Sequence, residues 1–252
     1  MGKKQERLKN IIKLLQDEPN ISIKKLAQDF SVSEMTIRRD LADLEASSLL
    51  STKPYVNPLA LSGAFSPDSL SPDTLPSIQI GRLASTLVEN NDIIISDSGP
   101  AASYMCSTIQ PNLNVTVLCY DFNTLTALHG RSNITTIFAG GRCHASDGVF
   151  ESQEGIDLIK RHRASKVFFT AEGLHSTLGA TCTRSYLAAL KRAAAECAGC
   201  RILLADSTAF DRIYPDFFLS VQDIDILITD KTPAENWRRL LSQLKIQVMT
   251  AD

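Results

Sequence analysis

The sequence predicts an α/β protein in two parts, a small N-terminal winged helix-turn-helix domain and a larger domain on a mostly parallel sheet. Three observations predict it. In residues 1–57 the apolar positions recur with the period of short amphipathic helices. Beyond residue 77, short runs rich in Val, Ile, Leu and Phe alternate with helical stretches, as parallel strands covered on both faces do. Between the two, the composition changes: five of the ten prolines fall in residues 54–77, among serines and small residues with neither period. The expected division is therefore a helical head over 1–57, a Pro/Ser-rich linker over 58–77 and an α/β body over 78–252.

Taken in order, Leu8, Ile11, Ile12 and Leu15 place a first helix over Glu6–Gln16, ended by Pro19 and Asn20. Ser22 caps a second, whose Ile23, Leu26, Ala27 and Phe30 follow the i, i+3, i+4, i+7 set. After a three-residue turn, Ser33 caps a third helix starting near Glu34, and Ser31 with Glu34 fits the S-x-x-E capping box. At 100° per residue Ile37, Leu41 and Leu44 share one stripe, while Met35, Arg39 and Ala42 lie opposite, flanked by Thr36 and Arg38. Two short helices joined by such a turn make a helix-turn-helix, whose second helix reads base edges in the DNA major groove. Ser33, Met35, Thr36, Arg38 and Arg39 are the expected reading residues, Arg being suited to guanine O6 and N7. Lys24 and Lys25 are placed for backbone phosphate. A solvated charged helix face is the plainer alternative. Leu49–Val56 would form the wing, with Lys53 near phosphate.

Charge supports the head. The chain carries a net −2, yet residues 1–39 hold nine Lys/Arg against five Asp/Glu. With 252 residues and 44% hydrophobic content, the chain can bury a substantial core. No apolar run nears the roughly 20 residues of a membrane span, and no h-region follows the Lys-rich start. A soluble cytoplasmic protein is expected, and six cysteines suit a reducing compartment.

In the body, Ile80, Leu83, Ala84 and Leu87 mark a helix. Buried strands are expected over Ile93–Ser96, Val115–Cys119, Thr135–Ala139, Lys166–Thr170, Arg201–Ala205, Asp225–Thr229 and Ile246–Met249. Ligands of such sheets bind beyond the carboxyl ends of strands. Those ends read Asp97-Ser98-Gly99, Tyr120-Asp121, Gly140-Gly141-Arg142, Ala171-Glu172-Gly173, Asp206-Ser207-Thr208 and Asp230. Small residues admit an anion to backbone N–H groups, and hydroxyls and carboxylates hold sugar hydroxyls, so a phosphorylated sugar suits the set. Any single loop reads better as a βα turn or helix cap; six together favour a pocket.

The segment Val32-Ser-Glu-Met-Thr-Ile-Arg-Arg-Asp-Leu41 resembles the DeoR family of bacterial transcriptional regulators, and the body resembles their effector domain over nearly its whole length. Asp97-Ser98-Gly99 stands where that family has an Asp-Ser/Cys-Gly-Thr-Thr-Thr loop. Gly140-Gly141, Lys191-Arg192 and Asp206-Ser207 match its later motifs. Val117–Thr124, Gly141–Ser146 and Gly179–Cys182 look most like the branch that represses deoxyribonucleoside catabolism. The resemblance implies a sugar-isomerase/CoA-transferase-like effector domain, operator double-stranded DNA as partner, a phosphorylated sugar as effector with deoxyribose 5-phosphate the first guess, and repression of a sugar or nucleoside operon. Asp97, Ser98, Gly99, Tyr120, Gly140, Gly141, Gly173, Lys191, Asp206 and Ser207 are the expected effector residues. The sequence departs from the family where Pro100-Ala101-Ala102 replaces the Thr run, where Tyr186-Leu187 stands for glutamates, and where Thr208-Ala-Phe-Asp211 replaces Ser-Lys-Phe-Gly. An altered effector, or a body kept for assembly alone, would explain these losses.

Other constellations carry less. Cys197-Ala-Gly-Cys200 has C-x-x-C spacing, but it closes a helix before a strand, unlike a thioredoxin-type site, and no second pair completes a zinc site. The histidines at 129, 144, 162 and 175 lack ligand spacing, and Gly140-Gly141 is neither P-loop nor G-x-G-x-x-G. No cofactor is expected. An isomerase-like enzyme using Asp97, Glu172, Lys191 and Asp206 is the alternative, and a fused reading head argues against it. Paired heads on a symmetric site call for a homo-oligomer.

Overall fold

The computed structural model describes residues 7, 10, 11, 23–30, 32, 33, 35–37 and 75–251. Its contacts divide the chain into two compact units, Met1–Asn57 and Pro58–Asp252. In the first, helix α1 (Ile23–Asp29) buries Leu26 and Ala27, and Ile11 and Ile37 are fully buried with them in the apolar set. The chain leaves α1 through Phe30 N–H to Leu26 O and Val32 N–H to Ala27 O, then enters a helical turn over residues 35–37. The wing expected over Leu49–Val56 and the linker residues before 75 lie outside the described residues.

In the second unit, α2 (Leu75–Ser85) starts three residues inside the stretch read as linker, with Pro76 in its first turn, where the missing N–H breaks no helical bond. There follow β1 (Ile93–Ser96), α3 (Pro100–Ser107), β2 (Val115–Cys119), α4 (Phe122–Leu128), β3 (Ile134–Phe138), β4 (Arg142–His144), β5 (Val149–Glu151), α5 (Gln153–Arg161), β6 (Ala164–Thr170), β7 (Gly173–His175), β8 (Gly179–Cys182), α6 (Ser185–Cys197), β9 (Ala198–Leu204), β10 (Asp216–Leu219), β11 (Ile226–Thr229), α7 (Glu235–Gln243) and β12 (Gln247–Thr250). The main sheet has the order β12-β11-β9-β6-β1-β2-β3, and every neighbouring pair is parallel.

All seven expected strands form this sheet, each within three residues of its expected ends. Adjacent residues of a strand face opposite sides, so a sheet covered on both faces needs apolar residues in succession. Ile95, Leu118, Val167, Phe169, Leu203 and Leu227 pack with Leu187, Leu190 and Trp237 in one core. Ile94, Val117, Phe168, Ile202, Leu204 and Ile228 pack with Ile80, Ala84, Ala102 and Met105 in the other. Two small antiparallel sheets, β4-β5 and β10-β8-β7, stand outside the sequence reading, because strands of three or four residues carry too little period to register.

Candidate functional site

From β1 the chain winds outward through β2 to β3, then returns to the other side of β1 to lay down β6. The connections leaving β1 and β6 therefore diverge, and the crevice beyond their carboxyl ends is where a parallel sheet receives a ligand. Asp97-Ser98-Gly99 follows β1, and Ala171 follows β6. Gly99 has φ +118°, open only to glycine at little strain, and a Cβ there would stand 3.2 Å from Thr170 Cγ2. Pro100 opens α3, and Ala101 and Ala102 turn into the core instead of toward the crevice.

Beneath this loop lies a buried polar network. Asp97 is fully buried and Lys191 is 2% exposed. Asp97 Oδ2 accepts from Lys191 Nζ, from the Thr170 N–H at 2.7 Å and from Thr170 Oγ1 at 3.0 Å. Its Oδ1 accepts from the Tyr120 hydroxyl. Lys191 also donates to the Thr170 carbonyl at 2.8 Å and lies 4.9 Å from the Phe218 ring centroid. Burial, and then the Asp97 charge, push the Tyr120 phenol well above its ordinary pKa, keeping it a hydrogen-bond donor. Three residues read from separate motifs thus meet at one point. Their polar atoms face one another, tying β1, β2, β6 and α6 together in a buried network beneath the Asp97-Ser98-Gly99 loop.

The other expected residues serve their own loops. Gly140 O accepts from Ser152 Oγ at 3.0 Å, and Gly141, at φ +138°, passes so close to β5 that a Cβ would meet Glu151 O at 2.4 Å. Gly173 is enclosed by Arg212 O and Thr181 Oγ1. Asp206 Oδ1 closes a turn on the Thr208 N–H at 2.8 Å, and Ser207 Oγ donates to Asp230 Oδ2 at 3.0 Å. At about 4.8 Å per strand, the β9 and β3 ends stand roughly 19 Å apart. One pentose phosphate cannot touch both the Asp206-Ser207 and Gly140-Gly141 loops, so the six loops share an edge without sharing a ligand.

The sequence reading left out Thr170, which bonds to both Asp97 and Lys191, and Asp147, 39 residues from its partner Tyr186. Thr170 could have been found as the last residue of a central strand. Nothing in the sequence points to the Asp147 pairing. Asp121, read with Tyr120 as a strand end, caps α4, with Oδ1 accepting from the Thr124 N–H at 2.9 Å, and its buried Oδ2 has no hydrogen-bond partner. Cys197 and Cys200 are free thiols.

In the head, Ser33 Oγ accepts from the Thr36 N–H at 3.2 Å and lies 2.9 Å from Thr36 Oγ1, the expected cap. Met35 is 72% exposed while Ile37 is fully buried, so the turn shows the two faces read from its spacing. Lys25 is exposed. The Lys24 side chain, Arg38 and Arg39 lie outside the described residues.

Residues 7–53 match the DeoR-like helix-turn-helix domain and residues 78–231 the DeoR C-terminal sensor domain. The chain belongs to the DeoR family. It is 26% identical to the deoxyribose operon repressor of Escherichia coli K12 over 98% of both chains. It is 24% identical to the glycerol-3-phosphate regulon repressor of the same strain, again over 98% of each. With the regulator GolR of Listeria innocua it shares 29% identity over 89% of this chain and 90% of that one. Ribose 5-phosphate isomerase A from Methanocaldococcus jannaschii superposes with a TM-score of 0.40 at 12% identity, over 55% of this chain and 54% of that one. This DeoR-family chain is a DNA-binding transcriptional regulator and not an enzyme. Among the described residues no helix is long and apolar enough to cross a membrane.

Proposed function

We propose that this regulator represses a sugar or nucleoside catabolic operon and leaves its operator when a small phosphorylated sugar binds at the carboxyl edge of β1 and β6. The Asp97–Lys191–Tyr120–Thr170 network at the switch point carries this reading, because it holds the ends of three strands and one helix in a single arrangement on which a ligand can act. Ser98 and Gly99, in the loop that leaves β1 directly above the network, are the first residues expected to meet the ligand. Deoxyribose 5-phosphate is the first effector to try, on the strength of the deoxyribose operon repressor among the relatives. Ser33, Met35, Thr36, Arg38 and Arg39 read bases, and Lys24 and Lys25 hold phosphates.

A ligand releases DNA only if it binds the DNA-incompetent state more tightly, and a tenfold loss of operator affinity needs about 1.4 kcal/mol of coupling. Binding of upstream DNA is titrated with and without deoxyribose 5-phosphate, ribose 5-phosphate and a hexose phosphate. The expected result is at least a tenfold weakening with one of them. Unchanged operator affinity with all three rejects release by these sugars.

A further inference from the structure

On this same edge one carboxylate collects more donors than an ordinary surface ion pair does. Asp147 stands in the turn of the β4-β5 hairpin. Its Oδ2 accepts from the Tyr186 hydroxyl and lies 3.5 Å from Arg184 Nε. Burial by itself would raise the Asp147 pKa, but hydrogen bonds from Ser146 and Tyr186 and the nearby Arg184 and His144 outweigh it and hold it below the usual carboxylate range. Tyr186 is aimed by its neighbour: its ring stacks on His144 with centroids 3.7 Å apart and planes within 7°. His144 is itself fixed by Glu151 at 2.9 Å. Arg184 and Tyr186 flank the start of α6, the helix that delivers Lys191 to Asp97.

A guanidinium and a phenol converging on one anion form a donor set that suits a phosphoryl group. Arg184 keeps 47% of its side chain exposed and Asp147 21%, so the anion position can be reached from solvent. A phosphomonoester brings three oxygens and roughly −1.5 to −2 charges where the carboxylate brings two oxygens and one. The hairpin is anchored by Phe122 N–H to Gly148 O at 2.8 Å and Phe150 N–H to Tyr120 O at 2.8 Å, and its turn is closed by the Asp147 and Gly148 N–H groups on His144 O at 3.1 and 2.9 Å, so any movement falls on residues 145–147.

We propose that Asp147 is an internal stand-in for the effector's phosphate: a phosphomonoester binds between Arg184 and Tyr186 by displacing the Asp147 carboxylate, and the hairpin turn moves with it. The proposal rests on the carboxyl edge being the effector site, and it names the residues that take the phosphate.

Inorganic phosphate is the probe, titrated by calorimetry into the full chain and its Asp147→Asn and Arg184→Gln variants. Removing the competing charge in Asp147→Asn should tighten phosphate binding at least fivefold, and Arg184→Gln should weaken it at least fivefold. Amide resonances of Ser146, Asp147 and Gly148 in the unmodified chain should shift on phosphate addition. Equal or weaker binding by Asp147→Asn, binding that survives Arg184→Gln, or resonances that stay fixed overturns the proposal. If Asp147→Asn loosens the hairpin, the resonance measurement still decides, since it needs no substitution. Phosphate binding with this pattern but no effect of any sugar phosphate on operator affinity would sink the release reading alone. Operator release that is indifferent to both substitutions would sink this proposal alone.

Discussion

Asp121 places a carboxyl group in the core at the start of α4, where one oxygen caps the helix and the other meets no donor. Burial, only partly offset by the Thr124 hydrogen bonds, pushes its pKa up to about 6. An acid whose native pKa is raised binds more protons folded than unfolded, so its stability contribution is present at low pH and is lost as pH rises from about 4 through 6. Asp121→Asn keeps an oxygen for the cap and removes the charge. The variant should lack that pH-linked loss and be more stable at pH 7 by about 3 kcal/mol. Denaturant midpoints for the two proteins at pH 4.5 and 7 give the comparison, and an unchanged difference between those pH values contradicts it. Asp97 is the opposite case, since every acceptor position seen there is used. Asp97→Asn strands the buried Lys191 ammonium and should cost about 3–5 kcal/mol in urea unfolding; a loss under 1 kcal/mol would mean that the pair contributes little. Asp211 accounts for one departure from the family: it holds the left-handed conformation at φ 59° where glycine was expected, and its side chain accepts from Trp237 Nε1 at 3.0 Å.

At the scale of elements, the helical turn that follows Ser33 separates an exposed Met35 from a buried Ile37, and the 100° spacing of the sequence predicts Arg39 on the Met35 side. Arg39→Ala should therefore cost about 1–3 kcal/mol at the operator and relax base preference at one position, whereas Lys25→Ala should weaken all duplexes alike. Gel-shift titrations on operator and scrambled DNA distinguish the two, and an Arg39→Ala protein with unaltered affinity and preference removes Arg39 from the groove. The central strands were readable because both of their faces are covered and buried apolar residues follow in succession at Ile94-Ile95, Val167-Phe168-Phe169 and Ile202-Leu203-Leu204. The β4-β5 hairpin was not, since three residues a strand and a glycine forced by close packing against Glu151 give no pattern of their own.

For the whole molecule, one head buries too little surface for tight specific binding, so the regulator should pair its heads on half-sites about 10 base pairs, or a multiple, apart. Light scattering at micromolar concentration should give a dimer or larger; a monomer with and without DNA would overturn the pairing. The sequence by itself determined the alternation of strands and helices, the residues that leave each strand, the capped turn of the head and the family, because each rests on local spacing or on a contiguous motif. Only the tertiary structure decided what those residues do. Asp97 and Lys191 are 94 positions apart and Asp147 and Tyr186 39, and no local rule links them. The parallel order of the sheet brings Asp97, Tyr120, Thr170 and Lys191 to one buried point, and it sets the β9 loop too far from the β3 loop for one small ligand to span both.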